Sequence, residues 1–182
     1  MEISEAKLPG ILIITPSVYT DTRGYFFEDF QKNRYEQHGI PAFVQSNLSR
    51  SKRNVLRGLH YQEPQAQGKL VGVTRGTVWD VVVDIRPESV TFGQWFGITL
   101  SDENHTQMYI PPGFAHGFCV LSDEADFYYK CTEYYAPSCE HGIAWNDKTL
   151  AIDWPITNPI LAAKDEQYPR FDILFNKLSH EK

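Results

Sequence analysis

The chain has 182 residues, 42% of them apolar and 14% aromatic, with a formal net charge of −6. That size and apolar content suit one domain, residues 1–182, around one hydrophobic core, and the acidic balance argues against nucleic acid or an anionic membrane as partner. Three cysteines (Cys119, Cys131 and Cys139) with no C-x-x-C pair indicate neither a disulfide framework nor a zinc knuckle. The opening Met1-Glu-Ile-Ser-Glu-Ala-Lys7 carries charges rather than an apolar stretch, and no apolar run approaches membrane-spanning length. A soluble, cytoplasmic protein is expected.

Ile11 to Ile14 is a short apolar run closed by Pro16, and Asp21-Thr-Arg-Gly24 reads as a turn. Glu28 to Gln37 is polar, with Phe30, Arg34 and Tyr35 at helical spacing and Gly39 behind it. This predicts one short helix capped by the glycine. From Phe43 onward the pattern is strand, turn, strand. The predicted strands are Val55–Gln62, Lys69–Thr74, Thr77–Ile85, Gly93–Leu100, Thr106–Ile110, His116–Ser122 and Phe127–Tyr135. Gly76, Gly93, Gly113 and the Pro111-Pro112 pair punctuate them. The tail from Asn158 to Lys182 mixes proline with a few amphipathic residues and predicts short helical turns packed on the sheets. Many short strands with few helical patterns between them predict an all-β fold, an antiparallel sandwich or barrel.

Strand periodicity assigns faces. In Thr77–Ile85, Val78, Asp80, Val82 and Asp84 share one face, opposite Trp79, Val81, Val83 and Ile85. Two carboxylates on an apolar face need partners, or a place near a strand end. His116 begins a strand after the Pro-Gly turn of Ile110-Pro-Pro-Gly-Phe-Ala-His116, and Asp84 is a natural hydrogen-bond partner for it. In Val55-Leu-Arg-Gly-Leu-His-Tyr-Gln62 a regular strand sends Arg57 and His60 to opposite faces. A bulge at Gly58 turns both inward. With Lys69 from the next strand, they make a site for an anionic substrate: Arg suits phosphate, and Lys suits a developing oxyanion. Phe127-Tyr-Tyr-Lys-Cys-Thr-Glu-Tyr-Tyr135 puts Tyr129 and Tyr135 on one face, Tyr128 and Tyr134 on the other. That run is either an aromatic sheet surface or the source of a phenolic proton donor and a stacking ring.

A Pro-Gly-x-x-His turn resembles the second motif of cupins. Metal-binding cupins also carry His-x-His on an earlier strand, but here that segment is His60-Tyr61-Gln62. The set of three imidazoles and a carboxylate cannot be assembled, so no metal is expected.

Val55–Gln62, Gln67-Gly-Lys-Leu70, Asp80-Val-Val-Val-Asp-Ile-Arg86, Thr91-Phe-Gly-Gln-Trp95, Ile110-Pro-Pro-Gly-Phe-Ala-His-Gly-Phe118, Ala162-Ala-Lys-Asp165 and the opening Asp21-Thr-Arg-Gly-Tyr-Phe-Phe-Glu28 together resemble the dTDP-4-dehydrorhamnose 3,5-epimerase family across nearly the whole chain. The resemblance implies a cupin jelly-roll barrel with a few short helices, a homodimer, no cofactor, and a dTDP-linked 4-keto-6-deoxyhexose as substrate. By the same resemblance, His60 matches the catalytic base, Asp165 its carboxylate partner, Tyr129 the general acid and Lys69 the cation at the ketone oxygen. Arg57 and His116 match further pocket residues, and Tyr135 the aromatic residue against the sugar. Arg23, Phe26, Glu28, Gln45 and Asn47 fall in segments that contact the nucleotide sugar, some of them in the partner subunit's site. One departure is Gly72, where many relatives carry Arg. Three other readings stay open at this stage: an epimerase acting at C3 alone, a metal-dependent cupin oxygenase, and a non-catalytic sugar-nucleotide-binding barrel.

Overall fold

The computed structural model describes residues 1–175. The strands are β1 (Glu2–Glu5), β2 (Leu12–Thr15), β3 (Tyr19–Asp21), β4 (Gly24–Phe26), β5 (Gln45–Lys52), β6 (Leu56–Gln62), β7 (Lys69–Arg75), β8 (Thr77–Asp84), β9 (Trp95–Ser101), β10 (Gln107–Ile110), β11 (Phe114–Val120), β12 (Glu124–Cys131) and β13 (Glu140–Gly142). Two short helices accompany them, α1 (Lys32–Glu36) and α2 (Phe171–Phe175). The larger sheet runs β1-β2-β10-β7-β12-β5 and the smaller β13-β6-β11-β8-β9, while β3 and β4 form a separate hairpin. All these pairings are antiparallel. The fold is all-β, a cupin-like jelly roll.

The alternation read from Thr77–Ile85 explains how the sheets stack. Val78 and Val82 of β8 pack with Val71 and Val73 of β7, Met108 of β10 and Phe127 of β12 in a core between the two sheets. The opposite parity, Val81, Val83 and Ile85, enters a second cluster with Leu59, Ile143 and Phe171 on the outer side of the smaller sheet. A third cluster covers the outside of the larger sheet, where Tyr35 of α1 and Ile40 meet Ile14, Leu70 and Tyr109. Burying such side chains on both sides of each sheet is worth about 1.5–3 kcal/mol per large apolar residue.

The one short helix expected within Glu28–Gln37 is present and covers five residues, with Gln31 as N-cap accepting from the Arg34 amide. Two strands differ from expectation. The tyrosine-rich strand starts at Glu124 and ends at Cys131, not Tyr135. Beyond Cys131 side chains take over the backbone groups. The Gln62 amide reaches Tyr134 O and the Ala136 amide, and Gln45 Oε1 accepts from the Tyr135 amide. Tyr134 and Tyr135 therefore lie outside the strand. β5 is an eight-residue strand that hydrophobic patterning does not flag, since Leu48 is its only large apolar residue. Pairing with β12 along its whole length forms it instead. Of the predicted tail, α2 is helical and Ala163–Glu166 form a turn; residues 176–182 lie outside the described residues.

Candidate active site

A cavity of about 300 Å³ opens between the two sheets at one end of the barrel. Its walls come from both. On the larger sheet, β12 pairs with β5 and β7 so that Tyr129 stands opposite Asn47, and Cys131 opposite both Gln45 and Lys69. All five of these side chains line the cavity. The smaller sheet contributes Arg57 and His60 from β6 and His116 from β11. Tyr135, Glu140, Lys164 and Asp165 close the rim.

Gly58 reconciles Arg57 with His60, as the spacing required. His116 pairs with His60 and Phe118 with Arg57, so β6 carries one residue more than β11 between these pairs. Gly58 sits in this bulge at φ +116°, and a Cβ there would lie 2.6 Å from both Gly117 Cα and His116 O. No other residue fits that approach. Both flanking side chains consequently reach the cavity.

His60 Nε2 lies 2.7 Å from Asp165 Oδ1, while Asp165 Oδ2 accepts the Gly58 amide at 3.3 Å. The carboxylate comes from the tail turn, where the Asp165 amide donates to Ala162 O at 2.8 Å. A second pair lies deeper. His116 Nε2 is 2.9 and 3.0 Å from the two oxygens of fully buried Asp80. The partner of His116 is thus Asp80, not the expected Asp84. Asp84 stands at the strand end and accepts from Arg86, Ser89 and Thr91 at 2.6–2.9 Å.

The charges around the cavity are mutually perturbed. Burial pushes the Lys69 ammonium pKa down, and the Asp80 and Glu140 carboxylates act against it. Burial likewise raises the Asp80 carboxyl, opposed by His116 and Lys69. Burial pushes the Tyr129 phenol up while Arg57 pulls it down, so the hydroxyl keeps its proton at neutral pH. Glu140 is desolvated too, but Lys164, bonded to it at 2.8 and 2.9 Å, holds it below its ordinary value together with His60 and Tyr135.

Arg23, Phe26 and Glu28 do not line this cavity. Arg23 pairs with Asp21 at 2.6 Å in the turn of the β3–β4 hairpin, and Glu28 pairs with Arg34 at 3.0 Å. The hairpin exposes Tyr19 (67%) and Phe26 (70%). Gly72 also lies away from the cavity, on the outer face of β7. A Cβ there would sit 2.5 Å from the Tyr128 hydroxyl, which bonds to Asp29 and Gln107. Gly72 makes room for that tyrosine. Gln62 spends its amide on loop backbone, bonding Gln65 O at 2.9 Å and Tyr134 O at 3.2 Å. Among the described residues no group of three or more His, Cys, Asp or Glu is placed to hold a metal ion.

Residue patterning singled out neither Glu140 nor Lys164 as a site residue. Lys164 sits inside the quoted Ala162-Ala-Lys-Asp165 and was the available signal. Glu140 lies on a strand of three residues, too short for any periodicity to mark.

A family model described as dTDP-4-dehydrorhamnose 3,5-epimerase matches residues 5–172. The chain belongs to the dTDP-4-dehydrorhamnose 3,5-epimerase family. The Escherichia coli protein named dTDP-4-dehydrorhamnose 3,5-epimerase is 52% identical over 178 residues, 96% of either chain. Its Pseudomonas aeruginosa namesake is 52% identical over 174 residues, 94% of this chain and 96% of that one. Among solved structures, the dTDP-6-deoxy-D-glucose-3,5-epimerase of Legionella pneumophila, in complex with dTDP-4-keto-L-rhamnose, superposes with a TM-score of 0.93. It shares 52% identity, with 97% of this chain and 96% of that chain covered. Like its family, the chain is an isomerase of the epimerase class.

Proposed function

We propose that this family member epimerises dTDP-4-dehydro-6-deoxy-D-glucose at C3 and C5, giving dTDP-4-dehydro-L-rhamnose in dTDP-L-rhamnose biosynthesis. One observation carries the chemistry: His60 and Tyr129 enter the same cavity from opposite sheets. A ketone at C4 acidifies the hydrogens on C3 and C5. His60 on one wall takes the proton, and Tyr129 on the other returns one to the opposite face, which inverts the carbon. Asp165, 2.7 Å from Nε2, fixes the tautomer that keeps the proton on Nε2 and leaves Nδ1 basic. Lys69 stabilises the enolate oxygen, an interaction strongest in a water-poor cavity. The same two groups serve C3 and C5 in turn as the sugar ring adjusts. Neither metal nor cofactor has a task in this sequence.

Arg57, His116, Gln45, Asn47 and Tyr135 bind the nucleotide sugar in this reading, with Tyr135 as the ring against the sugar. Arg23, Phe26 and Glu28 act in the partner's cavity within a homodimer. The exposed aromatic hairpin, turned away from its own cavity, supports that arrangement. The reading treats residues 1–182 as one domain and places it in the cytoplasm. Three free cysteines support that location, and among the described residues no helix is long and apolar enough to cross a membrane.

The test is incubation with dTDP-4-dehydro-6-deoxy-D-glucose in deuterium oxide, with the label located by NMR. Label at both C3 and C5 is expected. Label at C3 alone makes this a 3-epimerase, and no label makes it a binding barrel.

A further inference from the structure

Asp165 is not the only tail residue on His60. Tyr168, three residues on and half-buried, packs its ring against the imidazole with centroids 5.6 Å apart and planes at 72°. This edge-to-face geometry constrains angle as well as distance. Two features hold the tyrosine there. Gly142 of β13 stands opposite His60 in the ladder, and a Cβ on it would come within 2.4 Å of the Tyr168 ring. The ring therefore rests on bare glycine backbone. The chain just beyond it is tied down: Pro169 O accepts the Ala144 amide at 2.9 Å, and Asp147 accepts the Phe171 amide at 2.8 Å.

We propose that Tyr168 is a positioning residue for His60. Asp165 grips the imidazole at Nε2, and the Tyr168 ring blocks its rotation about the side-chain axis and keeps water off that flank. One turn of the tail thus supplies both restraints. The ring does this and the hydroxyl does not. Burial, with Glu140 and Asp165 nearby, raises the phenol pKa and keeps it protonated, and no role as a base falls to it. The proposal rests on the reading of His60 as the base.

The experiment compares kcat and KM for Tyr168→Ala, Tyr168→Phe and Phe171→Ala, with His60→Ala as reference. A small displacement of a catalytic group costs up to about a hundredfold, so Tyr168→Ala is expected to lower kcat about ten- to a hundredfold. KM should stay within about twofold, because ground-state binding does not use this ring. Tyr168→Phe should restore kcat to within about twofold of wild type. Phe171 packs on Phe92 and Phe175 in the same tail, so Phe171→Ala loosens the segment without removing the ring on His60. It should cost less than about threefold in kcat. Wild-type kcat in Tyr168→Ala overturns the proposal. So does a Tyr168→Phe as impaired as the alanine variant, or a Phe171→Ala that matches its loss. Turnover surviving in His60→Ala overturns the assignment of the base instead, an outcome no Tyr168 variant can mimic.

Discussion

The barrel holds two histidine–aspartate pairs of similar geometry and different surroundings. His116 and Asp80 sit on adjacent strands, β11 and β8, and are 8% and 0% exposed. His60 is 23% exposed, and its partner Asp165, 2% exposed, comes from the tail rather than the neighbouring strand. A pair built from two strands is fixed by sheet register and shut into the wall. A pair whose carboxylate arrives from outside the sheet leaves one flank of the imidazole free to meet a ligand. The difference separates the proposed base from a group that shapes the pocket, although both pairs join the same two residue types within hydrogen-bonding distance.

Breaking the two pairs should have unequal consequences. The largest effect is expected for His60→Ala, which removes the proposed base. Turnover should fall by at least the roughly 10²- to 10⁴-fold that general base catalysis contributes, measured as the rate of product formation. Asp165→Asn should follow with a loss of about 10²-fold or more in kcat at unchanged far-UV circular dichroism, because the amide favours the wrong imidazole tautomer. Tyr129→Phe should cost about 10²-fold in epimerisation and less in proton removal. His60 can then return a proton to the face it came from, so stereochemically resolved NMR should find label with retained configuration.

The smallest effect on activity is expected away from both pairs, at Asp84. Desolvation works against its ionised form, but bonds from Arg86, Ser89 and Thr91 hold its pKa below the carboxylate range. A depressed folded-state pKa adds stability that is complete above the unfolded value, about pH 4, and is lost as the pH falls through that value toward the folded one. Asp84→Asn should therefore lower stability by about 3 kcal/mol at pH 7 and leave kcat unchanged. Its penalty should shrink below about pH 4. Urea melts at pH 7 and pH 3 check the sign.

The contrast between the pairs was only partly legible in the sequence. Alternation along Thr77–Ile85 put Asp80 and Asp84 on one face but named the wrong one, Asp84, as the partner of His116. Register leaves both diagonal to His116, which pairs with Val82. The choice falls to the loop beyond the strand, where Arg86, Ser89 and Thr91 occupy Asp84 and leave Asp80 to the imidazole. Gly58 was legible as a bulge, because only an extra residue there brings Arg57 and His60 to one face. β5 was not, since its polar alternation becomes a strand only through β12. Asp165, 105 positions from His60, has no local pattern that links the two; the resemblance supplied it. Tyr168 went unnoticed because its contact depends on Gly142 being bare.

In the proposed chemistry His60, and not His116, removes the proton. Deuterium uptake into dTDP-4-dehydro-6-deoxy-D-glucose, followed by NMR in His60→Ala and His116→Ala side by side, tests it most directly. No uptake at C3 or C5 is expected in His60→Ala, and slowed but measurable uptake in His116→Ala. Wild-type exchange in His60→Ala, with exchange lost in His116→Ala, would contradict it and move the base to the buried pair.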